Sequence, residues 1–212
     1  MTFHLPKLYA ITDTRMSGLS HSDQISRLAA GGATLIQIRD KVLPSRAFYE
    51  EATLALRTAR RLGVKLIIND RVDIALALQA DGVHLGQTDI PPEVARKLLG
   101  PQVLIGVSVH NAQQAEKVLD SPVDYVAAGP VFPTSSKANP DPVLGLEGLK
   151  HIRQIVANVP LVAIGGIDLG NAAQVFERGA DSVAVIRGLL SAPDTIEQAT
   201  AGFLSLLGQK IP

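Results

Sequence analysis

GGATLIQIR (31–39), ADGVHLG (80–86), PVDYVAAG (122–129) and GADSVAVI (179–186) decide the fold. Each phrase passes from a helix stop through a small or acidic residue into a short, almost unbroken apolar run. Runs of Val, Ile, Leu and Ala without polar alternation are those of parallel strands covered on both faces by helices. The phrases recur along the chain without tandem identity, so the repeat is one of structure.

Working outward from them, candidate strands are KLYAIT (7–12), TLIQIR (34–39), KLIIND (65–70), GVHLG (82–86), LIGVS (104–108), YVAAG (125–129), LVAIGG (161–166) and SVAVIR (182–187), eight in all. Helical spacing fills the intervals, as in 21–32, 45–63, 146–158 and 170–180, with Gly63 and Gly179 placed where a left-handed helix stop is wanted. At about 26 residues per unit, the 212 residues suit a closed (β/α)8 barrel near its lower size limit. The rival, a doubly wound open sheet, wants a phosphate loop after its first strand. The segment DTRMSGLS (13–20) lacks G-x-G-x-x-G. The expected fold is α/β, a single (β/α)8 TIM barrel, with residues 1–212 as one domain.

Composition narrows the partners. Lys plus Arg and Asp plus Glu each number 20, so no net field draws in nucleic acid or an anionic membrane, and neither partner is expected. The absence of Cys removes disulfides, thiolate metal sites and thiol nucleophiles, and fits a cytoplasmic protein. Residues 1–20 show no basic start followed by a long apolar run, and no stretch approaches the ~18 apolar residues of a membrane span.

In such a barrel the strand carboxyl ends converge on the active site. Those ends carry Arg39 and Lys41, Asn69 and Asp70, the segment 86–89, Ser108, the loop from Pro130 to Lys137, Gly165 and Gly166, and Ile186 with Arg187, while the strand starts look bland. In QIRDK (37–41), alternation puts Gln37, Arg39 and Lys41 on one face, and cations beside a core call for an anion, with an internal ion pair as the alternative. Asp70 and Asp89 end adjacent strands and would share a hard cation such as Mg²⁺, unless Asp89 caps the helix beginning near Pro91. Thr134, Ser135, Ser136 and Lys137, in the longest irregular connection, would wrap an oxyanion, unless that connection is merely a loop. AIGGI (163–167) and the strand end at Ile186 and Arg187 suit backbone contact with a phosphate. His84 and His110 are read as structural, and no Ser-His-Asp order or G-x-S-x-G supports nucleophilic hydrolysis. The residues thus specify two anion pockets, one cationic with a metal and one built from backbone amides.

QIRDK, IIND, HLGQTD, GVSVH, GPVFPTSSK, AIGGI and GADSVAVI, in this order and spacing, resemble the thiamine-phosphate synthase family from about residue 7 to 190. The resemblance implies a transferase that joins 4-amino-2-methyl-5-(diphosphomethyl)pyrimidine to a thiazole ethyl phosphate, releasing pyrophosphate in thiamine biosynthesis. It implies that residues 37–41 (Gln37, Ile38, Arg39, Asp40, Lys41), Asn69, Ser108 and Lys137 hold the pyrimidine diphosphate and that Asp70 and Asp89 bind Mg²⁺. On the same resemblance, Arg39, Lys41, Ser108 and Lys137 would carry the catalytic roles. Thr134, Ser135, Ser136, Gly166, Ile186 and Arg187 would hold the thiazole phosphate. Two positions depart from the family pattern: Arg187 stands where Ser is frequent, and Ser136 where Thr is common. The alternatives are a thiazole tautomerase, whose pattern breaks the Asn-Asp pair kept here as Asn69 and Asp70, and a non-catalytic barrel that binds thiamine-type phosphates. Partners are the two small-molecule substrates, and a homo-oligomer is left open.

Overall fold

The computed structural model describes residues 4–135 and 141–208. Eight parallel strands close into a barrel: β1 Leu8–Ile11, β2 Leu35–Ile38, β3 Lys65–Asn69, β4 Gly82–Leu85, β5 Leu104–Val109, β6 Tyr125–Ala128, β7 Leu161–Ile164 and β8 Ser182–Val185. Every neighbouring pair is parallel and consecutive. The ring closes through Leu8 opposite Val183 and Tyr9 opposite Ala184, which excludes the open doubly wound sheet. The helices Ser45–Arg61 and Gly145–Val156 lie on the outside, as their apolar spacing requires. Gly63 and Gly179 take the positive φ expected of helix stops (69° and 92°).

Strand alternation divides the core in two. Outward-facing Ile36, Ile38, Leu66, Ile68, Val83 and Val126 pack beneath the helices in the large core cluster. Inward-facing Tyr9, Ile11, Leu35, Ile67, Leu104, Tyr125 and Val162 fill the barrel. Two large rings fit there because a neighbouring strand gives way: a Cβ on Gly106 would lie 2.0 Å from the Tyr125 ring.

The strand starts are not bland, contrary to expectation. In the recurring phrases, Asp81, Asp124 and Asp181 accept the backbone N–H of Leu66, Ile105 and Leu161, the early residues of the preceding strands, at 2.8–2.9 Å. Arg96 and Arg153 then pair with Asp124 and Asp181, each at 2.7 Å. In three of the four phrases the acid therefore satisfies a donor at the start of the preceding strand and stitches neighbouring units at the face opposite the site.

Candidate active site

At the carboxyl ends of the strands lies a cavity of about 670 Å³ to which all eight strands contribute, from Tyr9 and Gln37 through His84 and Ser108 to Ile164 and Ala184. Its walls differ in kind.

One wall is charged. Arg39 and Lys41 both line it, but each already has a carboxylate partner. Arg39 Nη1 is 3.2 Å from Asp13 Oδ2, and Lys41 Nζ pairs with Asp70. The ion-pair alternative is thus present in the structure, because a largely buried guanidinium is costly without a counter-charge, and it leaves the expectation of a bound anion standing. Asp13 is itself fixed: its Oδ1 accepts from Arg15 N and its N–H donates to Gln24 Oε1, both at 3.0 Å. Just before the cations, Ile38 faces the outer core rather than the cavity. Asp40 also points elsewhere, accepting the backbone N–H groups of Val42 and Leu43 at 2.7 Å in a turn. Neither side chain lines the cavity, so any part they take in binding falls to the backbone between Gln37 and Lys41.

Asp70 takes a left-handed φ of 61°, uncommon for a residue with a Cβ, and its N–H donates to the His84 carbonyl at 2.8 Å. Asp89 does not cap the helix Pro92–Leu99, whose Pro91 cap makes no side-chain bond. Its Oδ2 instead accepts Gly86 N–H at 2.7 Å. Burial, and the hydrogen-bonded Asp70 carboxyl beside it, hold the Asp89 carboxyl above its ordinary value, although the Gly86 N–H opposes them. A carboxyl held up in this way beside a second one suits a cation between them. Among the described residues no group of three or more His, Cys, Asp or Glu forms a metal cage. The donor set therefore fits a hard ion completing its shell with substrate oxygens and water, the habit of Mg²⁺. Next to them, Asn69 lines the cavity with a buried Nδ2 that has no hydrogen-bond partner among the described residues.

The opposite wall is built from backbone and hydroxyls. Gly165 and Gly166 have φ of 97° and 65°, and a Cβ on Gly166 would lie 2.5 Å from the Pro133 carbonyl. The β6 loop crosses close above them, with Phe132 N donating to Gly165 O at 3.0 Å. Thr134, Ser135, Ile186 and Arg187 complete this wall, and Arg187 Nη2 donates to Ser135 Oγ at 2.9 Å. Ser136 and Lys137 lie outside the described residues.

His84 and His110 also line the cavity, which their assignment as structural histidines did not anticipate. Both are nonetheless held by the fold. His84 bonds Tyr125 and Ser108 through its two nitrogens, and His110 Nδ1 meets the Gly129 carbonyl. Burial lowers the His84 pKa from 6.5 to about 4, so its ring is neutral at pH 7. The signal was present in GVHLG, where alternation puts His84 on the same face as Gly82 and Gly86.

A family model described as thiamine monophosphate synthase matches residues 8–189, which include every site position named above. The chain belongs to the thiamine monophosphate synthase family. It is 44% identical over 205 residues to the thiamine-phosphate synthase of Roseiflexus sp. (strain RS-1), covering 96% of this chain and 86% of that one. It is 45% identical over 194 residues to that of Chloroflexus aurantiacus, covering 91% and 89%. Among solved structures, thiamine phosphate pyrophosphorylase from Pyrococcus furiosus superposes with a TM-score of 0.84 at 39% identity, covering 95% of each chain.

Proposed function

We propose that this chain condenses 4-amino-2-methyl-5-(diphosphomethyl)pyrimidine with a thiazole ethyl phosphate, giving thiamine phosphate and pyrophosphate. One observation carries the proposal: a charged wall and a backbone wall face each other across a single cavity of about 670 Å³. The first suits a diphosphate and the second a monophosphate.

The pyrimidine diphosphate is assigned to Gln37, Arg39, Lys41, Asn69 and Ser108, with Lys137 joining them by resemblance. The thiazole phosphate is assigned to Thr134, Ser135, Ser136, Gly166 and the backbone at Ile186 and Arg187. The C–O bond between the pyrimidine methylene and the diphosphate breaks, and its electron pair leaves with the diphosphate oxygen. Arg39 and Lys41 stabilise the charge that develops there, drawing on cations already oriented by Asp13 and Asp70. The electron-rich aminopyrimidine carries the resulting cation, and the thiazole nitrogen, held across the cavity, supplies the pair for the new C–N bond. That nitrogen has no proton to lose, so no general base is required, in keeping with two histidines bound up in the fold. Mg²⁺, held by Asp70 and Asp89, would neutralise diphosphate oxygens as a Lewis acid.

We assign the whole reaction to one domain, residues 1–212, and to the cytoplasm, in keeping with a chain free of Cys. Among the described residues no helix is long and apolar enough to cross a membrane.

Pyrophosphate release is the test, with each substrate alone and together, with and without Mg²⁺. Release only when both substrates and Mg²⁺ are present is expected. Isomerisation of the thiazole phosphate by itself would point to a tautomerase, and binding without turnover to a regulatory barrel; either would overturn the proposal.

A further inference from the structure

Along the floor of the cavity, five side chains form one unbroken line of hydrogen bonds through the barrel interior. Gln37 Nε2 donates to Tyr9 Oη at 2.8 Å, Tyr9 Oη lies 2.9 Å from Tyr125 Oη, Tyr125 Oη 3.1 Å from His84 Nδ1, and His84 Nε2 2.9 Å from Ser108 Oγ. The three middle members are buried, and only the ends are assigned to substrate. The line is held by packing. The tyrosine rings meet edge to face at 5.8 Å, and the His84 ring stacks on Tyr125 at 5.6 Å.

Such a line has a direction. A phenol has one hydrogen, and leaving it unspent in the barrel interior is costly, so a buried tyrosine whose hydroxyl meets only its two relay neighbours among the described residues, and which accepts from one, donates to the other. A neutral imidazole donates from one nitrogen and accepts at the other. Once one end is set, every member is set. Here the Gln37 amide nitrogen donates at the start, so Tyr9 donates to Tyr125 and Tyr125 donates to His84 Nδ1. His84 Nε2 then carries the proton and donates to Ser108 Oγ. Two atoms are left for the cavity. The Ser108 hydroxyl hydrogen is unspent, and Gln37 Oε1 has no hydrogen-bond partner among the described residues.

We propose that Tyr9, Tyr125 and His84 are positioning residues that set Ser108 as a donor and the Gln37 carbonyl as an acceptor, so that the cavity floor matches a ligand edge pairing an amino group with an unprotonated ring nitrogen. The match to an aminopyrimidine rests on the function proposed above, whereas the polarity of the line is a property of the protein alone. Reversing it would require Gln37 to turn over and Ser108 to donate inward, leaving the opposite pattern for the substrate.

Two measurements test this. The first is nitrogen NMR of the substrate-free, ¹⁵N-histidine-labelled protein, with His84 assigned by its loss in His84→Gln. A proton on Nε2 and none on Nδ1 is expected; a proton on Nδ1, or on both, would overturn the proposal, whatever the enzyme turns out to catalyse. The second uses Tyr125→Phe, Tyr9→Phe and the double variant, each checked for folding by its melting curve. Each single change should raise the KM for the pyrimidine diphosphate about tenfold while leaving that for the thiazole phosphate unchanged. The double variant should lose little more, because both changes cut the same line. Unchanged KM values, equal changes for both substrates, or fully additive losses would refute a polarity relay. If the two tyrosine variants do not fold, the NMR result alone decides.

Discussion

The two walls of the cavity offer a phosphate different things. The wall at the ends of β2 to β4 uses side-chain charge, and its cations are already paired with carboxylates, Arg39 with Asp13 and Lys41 with Asp70. The wall at the ends of β7 and β8 depends on backbone shape, with Gly165 and Gly166 held where a Cβ would collide with the loop after β6. A charged wall suits a group whose charge changes during reaction, because paired cations can share their field with an anion as it forms. A wall of peptide groups suits an anion that only has to be held in place. The difference separates the chemistry of leaving from the geometry of positioning.

Damage to the charged wall should have the largest effect. Asp70→Asn removes one proposed cation ligand and the partner of Lys41, and is expected to cut the rate of pyrophosphate release by about a thousandfold. The readout is single-turnover kinetics at saturating substrates. Loss confined to KM would move Asp70 out of the leaving-group step.

Acid should weaken the same side next. Above pH 6.5 His84 is neutral whether the chain is folded or unfolded. Below it the unfolded chain takes up a proton that the folded chain refuses until about pH 4. Stability should therefore fall as pH drops from 6.5 to 4, by about 3 kcal/mol from this residue. Urea titrations across that range check it, with His84→Gln expected to flatten the decline.

Breaking the backbone wall should cost less and in a different quantity. Gly166→Ala forces a Cβ to 2.5 Å from the Pro133 carbonyl at a φ of 65°. The strain, about 2 kcal/mol, should raise the KM for the thiazole phosphate about thirtyfold with little change in that for the pyrimidine diphosphate. Arg187→Ala loses only a solvent-facing contact with Ser135, and a change of about twofold to threefold in the thiazole KM is expected.

Mg²⁺ addresses the comparison without turnover. At a hundred times its Kd it should stabilise the protein by about 2.7 kcal/mol, seen as a higher melting temperature, and should not do so in Asp89→Asn.

Much of this architecture is legible in the chain because its causes are local. All eight strands lie within two residues of where their apolar runs place them, and the cluster of Arg39, Lys41, Asn69 and Asp70 follows from the rule that strand ends converge. What escapes depends on closure. Asp13 could not be matched to Arg39 from sequence, since strand alternation says which face a residue takes and not which neighbour it meets. The bond between Tyr9 and Tyr125 spans 116 residues, and its only local trace is Gly106, whose missing side chain makes room for a ring from the next strand. Alternation in QIRDK turns the side chains of Gln37, Arg39 and Lys41 to the cavity and those of Ile38 and Asp40 away, which leaves the backbone as the part of these two residues that can meet a ligand.

The central claim is that two walls of one cavity serve two different anions, and its most direct test is the pair of KM values measured in Asp70→Asn and Gly166→Ala by pyrophosphate release as both substrates are varied. The account predicts that Gly166→Ala moves the KM for the thiazole phosphate and leaves the other in place, while Asp70→Asn slows release and leaves the thiazole KM unchanged. Displacement of both KM values together by either substitution would contradict it.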